Sequence, residues 1–85
     1  MLLQFYGEEC PHCVIMQPLV KRLEKECAVK VKAYEVWHHP ENVRRFEECD
    51  KSGECGGVPF FYNTKTKKSL CGEASFAELK KWAGK

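Results

Sequence analysis

The 85-residue sequence has no long apolar run and no large excess of charge of either sign. A transmembrane helix needs about 20 consecutive apolar residues, and no stretch approaches that length, so we expect no membrane partner. The net charge is only +2 with both signs interspersed, which does not favour a nucleic-acid partner. Internal repeats and low-complexity tracts are also absent, which excludes a repeat architecture. We therefore expect one domain over residues 1–85 with a single modest core.

The N-terminal segment lacks the pattern of a secretory signal peptide, because Glu8, Glu9 and Cys10 arrive before any adequate apolar region. The chain as given is therefore expected to be cytoplasmic, although a mature or excised domain would look the same. Six cysteines in 85 residues is a high content. In a cytoplasmic protein this content indicates redox or metal chemistry, and in a secreted one a disulfide framework.

The most informative feature is the motif Cys10-Pro11-His12-Cys13, which follows an apolar run over residues 1–6. If a strand ends at Gly7 and a helix begins near Pro11, the sulfur of Cys10 lies at the exposed N-terminus of that helix. Unpaired backbone N–H groups and the positive end of the helix dipole stabilise a thiolate there. A thiolate with a second thiol in reach predicts thiol–disulfide exchange, although half of a zinc site has the same spacing.

The hydrophobic pattern predicts strands and helices in the order β-α-β-α-β-β-α. Strands are expected over residues 1–6, 29–37, 58–62 and 67–71, and helices over 11–26, from 40 to a loop at 50–53, and after a capping box at Ser75. The first helix is expected to bury a stripe with a spacing of four, formed by Ile15, Leu19, Leu23 and Cys27. We expect a parallel first crossover, an antiparallel final hairpin, and helices on both faces of a four-stranded mixed sheet.

With Cys-x-x-Cys at the first strand–helix junction, this order resembles the thioredoxin superfamily in its minimal, glutaredoxin-sized form. Pro18, five residues after Cys13, resembles the helix-kinking proline of thioredoxins. Gly57-Val58-Pro59 resembles the cis-proline loop that packs against the motif, and Cys71-Gly72 stands where thioredoxins and glutaredoxins carry a glycine. The resemblance implies an α/β, thioredoxin-like fold over essentially the whole chain.

The resemblance also implies a thiol–disulfide oxidoreductase whose only redox group is the Cys10–Cys13 disulfide, with no metal and no other cofactor. Cys10 would attack a substrate disulfide as the thiolate, and Cys13 would resolve the mixed disulfide. Val58, before the cis-proline Pro59, would offer backbone groups to an extended substrate segment. The implied partners of a monomeric protein are protein disulfides or dithiols, and either glutathione or an upstream reductase.

The interior dipeptide Pro11-His12 is expected to tune the reactivity of the motif. It resembles the dipeptide of periplasmic disulfide oxidases, and His12 can add a hydrogen bond or a positive charge beside the Cys10 thiolate. Stabilising that thiolate makes the disulfide a stronger oxidant. The large helical insertion of the oxidases is absent, however, and the size of the chain favours a protein-disulfide reductase.

A second departure from the thioredoxin pattern concerns proton transfer. Gln4 stands six residues before Cys10, where thioredoxins have a buried carboxylate that accepts a proton from the second cysteine. Glutamine is neither an acid nor a base. Water, His12, or one of Glu8 and Glu9 would then have to serve Cys13, and the sequence does not rank them.

The remaining cysteines are less informative. Cys27 is expected to be a buried structural residue, and Cys71 is either structural or close to the active site. Cys49 and Cys55 flank a short loop, where they are either free thiols or partners in a second, regulatory disulfide.

Two rival functions are left open. One is a non-catalytic thioredoxin-fold interaction module. The other is a zinc site, whose ligands would be Cys10 and Cys13 with two of Cys49, Cys55, His38 and His39.

Overall fold

The computed structural model describes residues 1–51, 53 and 55–85. Its elements in chain order are β1 (Leu2–Tyr6), α1 (Pro11–Cys27), β2 (Val31–Glu35), α2 (Pro40–Cys49), β3 (Phe60–Asn63), β4 (Ser69–Cys71) and α3 (Phe76–Trp82). The predicted α/β class, with a four-stranded mixed sheet and three helices, is confirmed. Of the loop predicted over residues 50–53, Ser52 lies outside the described residues. None of the described helices is long and apolar enough to cross a membrane.

The four strands lie in the spatial order β2-β1-β3-β4. β1 is parallel to β2, with Tyr6 opposite Glu35, whereas β3 is antiparallel to both β1 and β4. Phe60 at the start of β3 pairs with Phe5 on one side and with Cys71 on the other. One end of the sheet therefore collects the segments that follow β1, β2 and β4 and the segment that precedes β3.

The helices cover both faces of the sheet. α1 and α3 pack on one face, in a cluster formed by Leu2, Met16, Val20, Leu23, Phe61, Leu79 and Trp82. The opposite face carries what we call the α2-side cluster, which consists of Leu3, Phe5, Val36 and Phe60 with Val43, Phe46, Cys49 and Cys55 packed against them. Because β1 and β3 are covered on both faces, their sequences are almost entirely apolar, as is typical of buried strands.

The buried stripe of α1 differs from the predicted one. The helix buries Cys13, Met16, Val20 and Leu23, whereas Ile15 is 53% exposed. A strict spacing of four drifts around a helix of 3.6 residues per turn, so a stripe follows alternating steps of three and four. The stripe therefore begins at Cys13, and the second cysteine of the motif is part of the core.

The ends of α1 and α3 follow the sequence signals. Pro11 occupies the first turn of α1, where its missing N–H costs no hydrogen bond. The helix continues through Pro18, which has no N–H to donate to the Val14 carbonyl. At α3 the predicted capping box is confirmed, because Ser75 accepts from the Glu78 N–H and the Glu78 carboxylate accepts from the Ser75 N–H.

Candidate active site

The motif lies at the N-terminus of α1, as predicted. Cys10 is the N-cap residue, with an extended backbone, and its Sγ accepts a hydrogen bond from the Cys13 N–H at 3.3 Å. In most helices a serine or aspartate oxygen occupies this N-cap position. Here the Cys10 sulfur takes its place, so it accepts the hydrogen bond of a free backbone N–H and lies at the positive end of the helix dipole. Both favour negative charge on the Cys10 sulfur.

Cys10 is more buried than expected. The residue is only 3% exposed, and the expectation of an exposed sulfur is wrong. The loop before β3 covers it, since the Cys10 Sγ lies 3.9 Å from the carbonyl oxygen of Val58. The peptide bond between Val58 and Pro59 is cis, as the resemblance implies. Two distant sites of the sequence, the motif and Val58-Pro59, are therefore in direct contact.

Cys13 lies deeper and is only 1% exposed. Its pKa is raised from 9.0 to about 12, chiefly by burial, then by its contact with Cys10, and least by the negative charge of Glu35. Cys13 is therefore a protonated thiol at neutral pH. The two cysteines have different environments, since one sulfur caps a helix and the other is enclosed in the core.

The His12 ring contacts the segment that follows β4. Its Nδ1 forms an ion pair with the Glu73 carboxylate, and both side chains are exposed. Glu73 follows Cys71-Gly72, and Gly72 has the positive φ of 83° that favours glycine. His12 therefore stands beside Cys10 together with a carboxylate, an arrangement that the motif alone does not indicate.

The sequence reasoning missed Glu35, the last residue of β2. Its carboxylate is buried and accepts hydrogen bonds from the Glu8 N–H at 2.9 Å and from the His38 N–H at 2.7 Å. Burial raises the pKa of Glu35, but the backbone N–H groups of His38 and Glu8 outweigh it, and the net pKa is lowered. This carboxylate joins the loops that follow β1 and β2. The sequence signal that could have indicated this residue is a single acidic side chain at the end of the second strand, which lies beside β1 in a parallel sheet.

Of the groups considered as proton acceptors for Cys13, two have other partners. His12 is paired with Glu73, and Glu9 is paired with His38. The charge of Glu35 has only the smallest effect on the pKa of Cys13, and backbone donors occupy both of its oxygens. Gln4 is buried and, as an amide, can neither take nor give a proton.

The second disulfide differs from the one considered. Cys55 is bonded to Cys71, with a Cα–Cα distance of 5.5 Å, and Cys49 is a free thiol. The pairing follows from the register, because Cys71 lies opposite Phe60 on the face that carries the α2-side cluster. Cys49 is nearer to Cys55 along the chain, whereas strand pairing brings Cys71 to the loop before β3.

The ligands of the rival zinc site are not gathered. Within the described residues, the only group of at least three potential ligands is Glu9, Glu35 and His38, whose ligand atoms lie within 4.8 Å of one another. None of the six cysteines belongs to it. Cys27 is partly buried against the α1 and α3 core, in agreement with a structural role.

The sequence matches no protein-family model, and a comparison with curated proteins gives no match. The assignment of a function therefore depends on the geometry of this end of the sheet.

Proposed function

We propose that this protein is a thiol–disulfide oxidoreductase of thioredoxin-like fold, and that it reduces protein disulfides through Cys10 and Cys13. The observation that carries the proposal is the position of Cys10 as the N-cap of α1, with Cys13 one turn later inside the core. Two sulfurs on one helical turn are within reach of a disulfide, and only the first has the helix N-terminus to stabilise its thiolate.

Because Cys10 caps the helix and Cys13 is enclosed in the core, the two cysteines take different steps of the reaction. Cys10 attacks a disulfide of the substrate, so that one substrate sulfur bonds to Cys10 and the other leaves as a thiolate. Cys13 has a pKa of about 12 and stays protonated during this step. It then loses its proton and attacks the Cys10 sulfur, which releases the second substrate sulfur and closes the Cys10–Cys13 disulfide.

The loop before β3 supplies the contact for the substrate backbone. The Val58 carbonyl lies 3.9 Å from the Cys10 sulfur. Pro59 has no N–H, so the backbone at this residue presents no hydrogen-bond donor to the sulfur. An extended substrate segment that pairs with the Val58 backbone by strand addition would bring its own cysteine to Cys10. Pro11 fixes the first turn of α1, and His12 with Glu73 sets the charge beside the motif.

The proposal also covers the oligomeric state and the compartment. We propose that the protein works as a monomer in a reducing compartment such as the cytoplasm, where its Cys10–Cys13 disulfide must be reduced again after each cycle. Glutathione or an upstream dithiol reductase would supply the two electrons. Exchange with a protein disulfide distinguishes this proposal from a non-catalytic interaction module, which would bind partners without turnover.

The test is dithiothreitol-driven reduction of insulin, measured for the parent protein and two matched variants. We expect turnover in the parent and none in Cys10→Ser. We expect Cys13→Ser, reduced beforehand and mixed with insulin without free dithiothreitol, to accumulate a mixed disulfide with insulin that mass spectrometry maps to Cys10. The free thiol Cys27 provides the control, because Cys27→Ser should retain parental turnover. A mixed disulfide on Cys13 in Cys10→Ser would reverse the roles, and no turnover by the parent would contradict the proposal.

A further inference from the structure

We propose that the Cys55–Cys71 disulfide is a second thiol–disulfide exchange site, which a low-molecular-weight thiol reduces through Cys71. We further infer that the redox state of this bridge controls the access of reagents to Cys10. This second part rests on the proposed function. Nothing in the exchange cycle of Cys10 and Cys13 uses this pair of sulfurs.

The two cysteine residues of the bridge differ in exposure. Cys71 is exposed at the end of β4, the outer strand of the sheet. Cys55 is half-buried and packs against the α2-side cluster together with Cys49. A disulfide is attacked at the sulfur that a thiolate can reach, so the exposed Cys71 is the site of attack and Cys55 is the leaving group.

The reaction balances with two equivalents of the small thiol. A first thiolate bonds to the Cys71 sulfur, the Cys55–Cys71 bond breaks, and Cys55 leaves as a thiolate that takes a proton from water. A second thiolate attacks the bound small thiol, which leaves as a disulfide and releases the Cys71 thiolate to be protonated. The protein disulfide is reduced to two thiols while two small thiols are oxidised to one disulfide.

The released Cys55 thiol has an acceptor in place. Its Sγ lies 3.3 Å from the Gly57 carbonyl oxygen, to which a thiol donates a hydrogen bond and a disulfide sulfur does not. Cys49 is not a competing nucleophile at neutral pH, because burial raises the pKa of its thiol. The reduced state therefore has two separate thiols at residues 55 and 71.

The bridge anchors the loop that covers Cys10. At its start, the Asp50 carboxylate accepts from the N–H groups of Cys55 at 3.2 Å and Gly56 at 2.9 Å. At its end, the Pro59 carbonyl accepts from the Gly72 N–H at 2.8 Å. Val58 lies between these points, over the Cys10 sulfur. Reduction breaks the disulfide cross-link between this loop and the end of β4 and leaves hydrogen bonds that open and close.

The reducing compartment of the proposed function agrees with a disulfide that forms and breaks. Disulfides of proteins in a reducing compartment are usually transient, catalytic or redox-sensing. Oxidised, the bridge holds Val58 over a Cys10 that is 3% exposed. Reduced, it releases the loop and admits reagents to Cys10.

The first experiment tests exchange at the bridge itself. The Cys10→Ser/Cys13→Ser variant is equilibrated in a series of glutathione buffers of different redox potential. Each sample is quenched with acid and alkylated, and its disulfides and thiols are mapped by mass spectrometry. We expect a single two-electron transition between the Cys55–Cys71 disulfide and two thiols, with transient glutathione adducts on Cys71. A bridge that persists in every buffer, a Cys49–Cys55 bridge, or adducts mainly on Cys55 would overturn the inference.

The second experiment tests control of Cys10. The alkylation rate of Cys10 is measured by mass mapping in protein with Cys10 and Cys13 reduced and the bridge intact, and in Cys55→Ser/Cys71→Ser. We expect a rise of about threefold or more in the variant, because the loop then opens locally. Cys27→Ser/Cys49→Ser is the matched control and should retain the parental rate. If Cys55→Ser/Cys71→Ser does not fold, parent protein with the bridge reduced replaces it.

Failures of the two proposals are distinguishable. If the bridge titrates but the parent does not reduce insulin, the proposed function fails and the second exchange site stands. If the parent reduces insulin but the bridge does not titrate, the exchange site fails alone. Equal alkylation rates of Cys10 with the bridge intact and open would overturn the control of access.

Discussion

Cys13 illustrates how a single side chain joins the core to the chemistry. The residue begins the buried stripe of α1, and the same burial raises its pKa from 9.0 to about 12. Its thiol is therefore protonated in the folded protein at pH values where the thiol of an unfolded chain has already ionised. The folded state is stabilised relative to the unfolded state below pH 9, and this advantage is lost as the pH rises toward 12.

A pH series of unfolding tests this linkage. The free energy of unfolding of the reduced parent should fall more steeply than that of Cys13→Ser between about pH 9 and about pH 11, since only the parent has this thiol. Urea denaturation under reducing conditions measures both. All other titratable groups are common to both proteins, so the difference between the two profiles isolates Cys13. Parallel pH profiles would contradict the assigned burial of the thiol.

Glu35 gives a prediction at acidic pH. Its pKa lies below the ordinary 4.5, so its contribution is present above that pH and is lost as the pH falls through the lowered value. Glu35→Gln should therefore be less stable than the parent at neutral pH, and the two should converge in acid. Glu47→Gln, an exposed change on α2, is the control and should follow the parent. An equal loss at all pH values would show that the amide disturbs packing and that charge is not responsible.

Glu73 gives a prediction for the redox couple. Its carboxylate is a negative charge that contacts His12 beside the motif, so Glu73→Gln removes that charge and should favour the Cys10 thiolate and make the Cys10–Cys13 couple more oxidising. The pair is exposed, so its free energy is about 0.2–1 kcal/mol, and we expect a shift of about 5–20 mV. Equilibration with glutathione measures it, and Glu26→Gln at the other end of α1 is the control. A shift toward more reducing potentials would contradict this role of Glu73.

At the scale of the elements, the sequence signals that are local are reliable. Pro11 and Ser75 begin helices where expected, because a proline in the first turn and a capping box act through neighbouring backbone groups. The predicted stripe of α1 agrees with the observed one at Leu23 but lies one position away at Ile15 and Leu19, because a strict spacing of four adds a fraction of a turn at each step. Neighbouring Ile15 and Met16 are both apolar, and only packing decides that Met16 faces the core.

The capping box of α3 yields a stability prediction. Ser75→Ala removes the acceptor of the Glu78 N–H from a short helix that buries Leu79 and Trp82, and should cost about 1 kcal/mol in the free energy of unfolding. Urea denaturation of the oxidised protein measures the loss. Ser69→Ala, at an exposed position of β4, should cost less than about 0.5 kcal/mol. Equal losses in the two variants would contradict a specific role of the cap.

At the scale of the whole molecule, the site depends on contacts between distant segments. The sequence indicates Cys10, Cys13, Val58 and Pro59, because each belongs to a short motif that carries its own signal. It does not indicate Cys55–Cys71 or His12–Glu73, because these pairs depend on the pairing of β3 with β4. Spacing along the chain is a poor guide to such contacts, as the unpaired Cys49 illustrates.

The most direct test of the central claim is the reduction potential of the Cys10–Cys13 pair, measured by equilibration in glutathione buffers with mass mapping of the bridge. We expect a Cys10–Cys13 disulfide with a midpoint between about −200 and about −270 mV, the range of glutaredoxin- and thioredoxin-like reductases. A midpoint near about −120 mV would indicate a disulfide donor and contradict the reductase role. If no Cys10–Cys13 disulfide forms at any potential, the proposed oxidoreductase is wrong.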